Sequence, residues 1–498
     1  MNIQQAKEEI IHTLRAYLQR GEDGEYCFPA VHQRPILLIG PPGVGKTAIM
    51  EQVAAACGVG LVAYTMTHHT RQSAVGLPKI VEKTYGGISM TVTEYTMSEI
   101  IASVYDAMES SGNREGILFL DEINCVSETL APTMLQFLQN KTFGSHRLPQ
   151  GWVVVAAGNP PEFNKSVRDF DVVTLDRVRQ IPVEANLPVW LDYAREKGLH
   201  GAIVSYLTLK PDRFYTVERK NGELSFVTAR GWEDLSRILQ SYEALNVPIS
   251  EALTAQYLHR EDTARDFAAY YRLYRKYGTD YAIAQLLDGS LSEEDYQEKV
   301  TMAAGGGFDE GASVVNLILE GLQSRLRTYC ELDARAVGLH SVLRRFRGLS
   351  QPLPDFIAAN ETALNVKREN HLISREDARR ELWILDRLRQ MEATVRERRI
   401  QEPEAVFACM KVQFETDLAA RKDSVYAVGR ALDNAFRFVL DSFGQGQELT
   451  LLLTCLTKMP DAQNYIRRHG CDAYLQYAGV LLYHKKEEAL RQACRELL

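Results

Sequence analysis

Short, uniformly apolar runs alternate with amphipathic stretches over roughly the first half of the chain. After that, the pattern is helical throughout. Residues 4 to 20 put Ile10, Leu14, Tyr17 and Leu18 on one face, the spacing of an amphipathic helix. Ile36 to Ile39 is apolar at every position, as a parallel strand covered on both faces requires, and Ala48 to Ala56 follows as a helix. Leu61 to Thr67 reads as a second strand. Ile80–Tyr85 and Ile88–Tyr95 flank Gly86-Gly87, and Ile88, Met90 and Val92 alternate with Ser89, Thr91 and Thr93; this predicts a β-hairpin. A helix over 98–110 comes next, and Gly116 to Leu120 is another buried strand. Helix 127–140 carries Leu130, Met134, Phe137 and Leu138 on one face, and the turn-rich stretch 141–150 has room for a second hairpin. Trp152 to Ala157 is a buried strand, and 172–183 ends in a short one.

Past Leu187 helices dominate, apart from Phe214 to Val227, where Asn221-Gly222 joins two short runs as a hairpin turn. Thr228 suits the N-cap of a following helix. Gly305-Gly306-Gly307 and 349–354 are breaks in the helical second half, and charged stretches such as Lys367 to Arg399 read as solvated helix faces. The expected division is an N-terminal helix and loop (1–34), an α/β core (35–185), a small, mostly helical lid with a hairpin (186–250) and a long all-α region (251–498).

Composition narrows the function classes. A 498-residue chain with 45% hydrophobic and 24% charged residues has the make-up of a globular protein of about two to four domains. The net charge of −8 and the lack of a basic stripe with interleaved aromatics argue against a nucleic-acid partner. Eight scattered cysteines without a C-x-x-C pair argue against a disulfide or zinc framework and favour a reducing compartment. The N-terminus lacks the pattern of a signal peptide, and no apolar run reaches membrane-spanning length, so a cytoplasmic location and no membrane insertion are expected. His68-His69 is read as a solvated loop, since adjacent side chains point apart and no third metal ligand lies nearby.

The chemistry concentrates in a few places. Gly40-Pro41-Pro42-Gly43-Val44-Gly45-Lys46-Thr47 fits G-x-x-x-x-G-K-[ST], between a predicted strand and a helix opening at Ala48. Glycines there let the backbone N–H groups of a helix N-terminus wrap phosphate oxygens. Residues 40 to 48 are thus candidate ATP contacts, with Lys46 reaching the β and γ phosphates and the Thr47 hydroxyl ligating Mg²⁺. Asp121-Glu122 ends an apolar strand, where Asp121 would hold Mg²⁺ through water and Glu122 would orient or deprotonate the attacking water. Asn159, at the tip of another strand beside the acid pair, can bond water and the γ-phosphate.

Together these residues resemble an AAA+ ATPase, more closely the MoxR branch of the helix-2-insert clade. The resemblance covers residues 33 to 240. It adds Gly158-Asn159-Pro160 as sensor 1, Leu175-Asp176-Arg177 as the arginine-finger segment and Thr228-Ala229-Arg230 as sensor 2. It implies an α/β P-loop NTPase with an AAA+ αβα core and parallel sheet, a small helical lid and Arg230 at the nucleotide. It also implies a homo-oligomeric ring, a hexamer, in which Arg177 reaches a neighbour's γ-phosphate. A protein client is implied too, with a von Willebrand factor A domain protein as a family-derived candidate. The chain departs from the branch at Pro41 and Gly45, where an acidic residue and Ala are common, and at Val178, where Phe is common. Arg179 follows so closely that the choice of finger between it and Arg177 stays open. In this clade the two hairpins project toward the ring centre, which makes Tyr85 and Phe143 candidates for gripping a client. Two other functions remain as alternatives: a nucleotide-gated scaffold and a nucleic-acid motor.

Overall fold

The computed structural model describes residues 1–30, 32–68, 71–144, 146–163, 170, 172–220, 223–349, 351–369 and 373–479. The chain divides into two compact units. The first comprises Met1–Trp190 and Phe214–Trp232; the second comprises Leu191–Arg213 and the chain from Glu233 on.

The strands are β1 (Ile36–Ile39), β2 (Gly60–Thr65), β3 (Pro78–Tyr85), β4 (Ile88–Tyr95), β5 (Gly116–Asp121), β6 (Thr142–Phe143), β7 (His146–Arg147), β8 (Trp152–Gly158), β9 (Arg179–Pro182), β10 (Thr216–Lys220) and β11 (Glu223–Val227). Five of them pair in parallel, in the order β2-β5-β8-β1-β9. The other six form the antiparallel hairpins β3–β4, β6–β7 and β10–β11. Asn221-Gly222, expected as a hairpin turn, lies outside the described residues, as does His69.

Uniformly apolar strands are covered on both sides, as their composition requires. Ile36, Leu38, Ile117, Phe119, Val153 and Val155 pack with helices Ile3–Tyr17 and Ala48–Cys57. Their neighbours Leu37, Leu118, Leu120, Val154 and Ala156 face the other way, onto helices Glu99–Ser111 and Ala131–Asn140. The unit is therefore an αβα sandwich around a parallel sheet. Gly116 serves close packing here, because a Cβ would come within 2.6 Å of the Trp152 ring.

The two hairpins named as gripping elements differ. Tyr85, at the β3–β4 tip, is 51% exposed, as are Ile88 and Met90 beside it to similar degrees. Phe143 is fully buried and stacks on Phe137, with centroids 4.1 Å apart and planes 4° apart. The expectation that Phe143 grips a client is therefore corrected: its ring belongs to the core. Lys141 turns the chain there with φ 54°, and its buried ammonium donates to the carbonyl of Ala30 at 2.8 Å and to Gln33 Oε1 at 3.2 Å.

The second unit is helical among the described residues and is dominated by helices Phe308–Arg347 and Pro403–Phe443. One apolar core joins these two with helices Gln447–Lys458 and Pro460–His469. A second core joins their other halves with helices Leu353–Glu369 and Arg375–Glu397. Between the long helices sits Asp333, a buried carboxylate paired with Arg421 at 2.7 Å and with Arg468.

Candidate active site

Three neighbouring strands, β5, β8 and β1, deliver the site. Ile39 is in register with Gly158, and Leu120 with Ala156, so the C-terminal ends of the three strands lie side by side. Past those ends come the phosphate loop, Asn159 and the acid pair. A crevice at the carboxyl ends of parallel strands is where such sheets bind ligands.

The phosphate loop holds itself open. Pro41 and Pro42 have no N–H, so the loop's donors begin at Gly43. Among the described residues, the backbone N–H groups of Gly43, Val44, Gly45, Lys46 and Thr47 have no protein acceptor. Gly43 and Gly45 take φ of 76° and 96°, which glycine adopts without a Cβ clash. The result is a concave row of donors at a helix N-terminus, which fits an anionic phosphate chain.

Lys46 is buried and donates to the carbonyls of Gly40 at 2.7 Å and Pro41 at 2.9 Å, and to Asn159 Oδ1 at 2.9 Å. Burial, aided by the charge of Arg230 and opposed by Asp121 and Glu122, pulls its ammonium down to about 8. The Thr47 hydroxyl donates to Asp121 Oδ2 at 2.6 Å. That pair of oxygens fits a hard cation sharing its other ligands with phosphate. Among the described residues no cluster of three or more His, Cys, Asp or Glu could hold a metal unaided.

Glu122 sits in the left-handed region at φ 55° and ψ 38°. For a glutamate this is a costly conformation, held only where the surroundings impose it. Two contacts do so: its N–H donates to Asp121 Oδ1 at 2.9 Å, and its Oε2 accepts from the Thr67 hydroxyl at 3.1 Å. Asn124 is buried and pairs twice with the backbone of Asn159, donating to its carbonyl at 2.7 Å and accepting from its N–H at 3.3 Å. Gly158 makes room for this pairing, since a Cβ there would lie 2.6 Å from Asn124 Oδ1.

Arg230 opens helix Ala229–Ala244 beside the loop: a Cβ on Gly43 would meet those of Thr228 and Arg230 at 3.3 Å. Arg177 is not brought into the cluster; it is exposed, and among the described residues its side chain has no hydrogen bond or ion pair. Arg179 is already engaged, donating to Glu9 and the Thr13 hydroxyl. Thr67, Asn124 and Tyr215, whose hydroxyl donates to the Pro42 carbonyl at 2.9 Å, escaped the sequence reading. Asn124 was within reach, as a polar residue three positions past Asp121; the other two lie too far along the chain from their partners to be paired by pattern.

A phosphate loop, an acid pair and an amide on adjacent tips of a parallel αβα sandwich define the class of fold: residues 35–178 have the AAA+ P-loop fold. They match the family described as AAA domain (dynein-related subfamily). Among solved structures, a mutant of Thermotoga maritima RuvB is similar at 14% identity, over 51% of this chain and 68% of that one, with a TM-score of 0.30. No curated protein matches the chain.

Proposed function

We propose that the protein hydrolyses ATP within a ring of its own copies and uses the cycle to remodel or mature a partner protein, as MoxR-like ATPases are thought to do. The observation that carries this reading is the convergence of Lys46, Thr47, Asp121, Glu122 and Asn159, with Arg177 left exposed outside it. Lys46 and the N–H row bind the triphosphate. Mg²⁺ held by Thr47 and Asp121 would offset charge on the β and γ phosphates. Glu122 takes a proton from water as its oxygen bonds to the γ-phosphorus, and the bond to the β–γ bridging oxygen breaks to release ADP. Asn159 orients that water.

Arg177 acts in trans on this reading, because a guanidinium without a partner among the described residues suits a neighbour's γ-phosphate. Such fingers contribute about 10³- to 10⁵-fold in rate. The exposed β3–β4 tip is the proposed contact with the client, for which a von Willebrand factor A domain protein is a candidate. The setting proposed is the cytoplasm, and among the described residues no helix is long and apolar enough to cross a membrane.

The test is Glu122→Gln. ATP affinity should stay within about threefold while turnover is lost, since an amide cannot accept the proton. Wild-type turnover in that variant refutes the assignment. Mixing Arg177→Ala with Glu122→Gln subunits should restore part of the activity; no recovery in rings shown to be mixed refutes the trans finger.

A further inference from the structure

The phosphate loop spends its first three carbonyls in an unusual way. Those of Gly40 and Pro41 both accept from the Lys46 ammonium. The third, that of Pro42, is taken by a residue 173 positions away, the hydroxyl of Tyr215. We propose that Tyr215 is a positioning residue for the phosphate loop: by holding the Pro42 carbonyl outward, it keeps the Gly43 N–H turned toward the phosphate chain. This rests on the reading that the loop binds ATP.

In a planar trans peptide, C=O and N–H point in opposite directions, so fixing one aims the other. The Pro42–Gly43 unit carries the first N–H of the row, because Pro41 and Pro42 have none. It is also a unit that can turn over, because one of its two torsions belongs to a glycine. Gly43 sits at φ 76°, and glycine crosses between positive and negative φ at little steric cost. Turned over, the same unit would present a carbonyl oxygen to the phosphates and replace attraction with repulsion. The hydrogen bond from Tyr215 to the carbonyl favours the first state.

Tyr215 is built for that task. The carbonyl of its neighbour Phe214 accepts from Trp232 Nε1 at 3.0 Å, and the Phe214 ring packs on Trp190 at 5.3 Å between centroids. Trp232 and Phe214 are buried, so the backbone at 214–215 is anchored in core. Thr228 and Arg230 pack on Gly43 from the same segment of chain. Burial pushes the Tyr215 phenol up to about 12, so it stays protonated and able to donate at any ordinary pH.

Tyr215→Phe removes the hydroxyl and leaves the ring. We expect the affinity for ATP, and that for inorganic tripolyphosphate as a competitor, to fall together by about five- to tenfold, the scale of one lost hydrogen bond. The melting temperature should move by less than about 2 °C, and turnover at saturating ATP should stay within about threefold. Unchanged ATP affinity overturns the proposal. So does a loss for ATP with none for tripolyphosphate, which would place Tyr215 at the nucleoside end, and so does a lower melting temperature with affinity intact. Lys46→Ala, measured alongside, separates the two readings. If it too leaves ATP affinity intact, the phosphate-loop reading itself fails; if it weakens ATP and Tyr215→Phe does not, only the role of Tyr215 falls.

Discussion

On the proposed reading, nucleotide binding at Lys46 is tied to a proton. Burial lowers the free protein's ammonium to about 8, whereas phosphate oxygens beside it favour the charged form. ATP binding at a pH of about 8.5 should therefore take up a fraction of a proton, and affinity should fall as pH rises through that range. Calorimetry in two buffers of different ionisation heat checks this; equal heats in both would sink it. The sign for folding follows from the same shift. Lys46 and Lys141 both drop from 10.5 to about 8, so between those values the unfolded chain holds more protons and the ligand-free protein gains stability as pH rises. Asn124 gives a second expectation. Asn124→Ala leaves the half-buried Asn159 backbone without these two bonds, which costs about 1 to 2 kcal/mol, and turnover should drop by at least about tenfold. Turnover within twofold of wild type would show that Asn159 is held by other means. Legibility at this scale follows sequence distance. Gly40 to Thr47 and Asp121-Glu122 carry their chemistry in contiguous residues and could be read directly. Thr67 and Tyr215 are ordinary until folding sets them against Glu122 and Pro42.

Elements were legible wherever the pattern was strong. The β3–β4 hairpin was read within two residues of its ends, because alternation and Gly86-Gly87 mark both strands and turn. The β6–β7 hairpin was placed correctly, yet its aromatic was misread. Nothing local distinguishes Phe143 from an exposed tip; the turn at Lys141 and the ring of Phe137 decide it. The two aromatics should now behave as opposites. Phe143→Ala should cost about 3 to 5 kcal/mol by leaving a cavity, whereas Tyr85→Ala should stay within about 0.5 kcal/mol. Tyr85→Ala should also keep basal ATP turnover within about twofold while losing response to a client. Thermal melts of both variants decide the first contrast, and equal destabilisation would refute it.

The whole chain comprises two units with separate cores, one carrying the proposed nucleotide site and one carrying none that the sequence reveals. Unfolding should therefore proceed in more than one step. At ATP concentrations about 100-fold above its Kd, the first unit gains about 2.7 kcal/mol, enough to raise its transition by about 5 to 10 °C. The second transition should stay put, and scanning calorimetry with and without ATP tests this. A single transition shifting as one would show the units to be energetically fused. Periodicity made the helices after residue 250 legible, and the breaks at Gly305-Gly306-Gly307 and 349–354 fell where helices end. Their partners were not legible, since apolar stripes on many long helices fit one another in many ways.

Asp333 bears on that ambiguity. Two helices of 40 and 41 residues, each about 60 Å long, meet along a largely apolar seam that by itself tolerates sliding by one turn, about 5.4 Å. The carboxylate is gripped by Arg421 on the facing long helix and by Arg468 on a third. A slip of one turn would strand a buried charge, which no apolar repacking offsets. The bundle thus has a detent, a notch that fixes which residues lie opposite which. With that notch engaged, the paired helices act as a strut, and a push applied at one end reaches the other as displacement instead of being lost to creep along the seam.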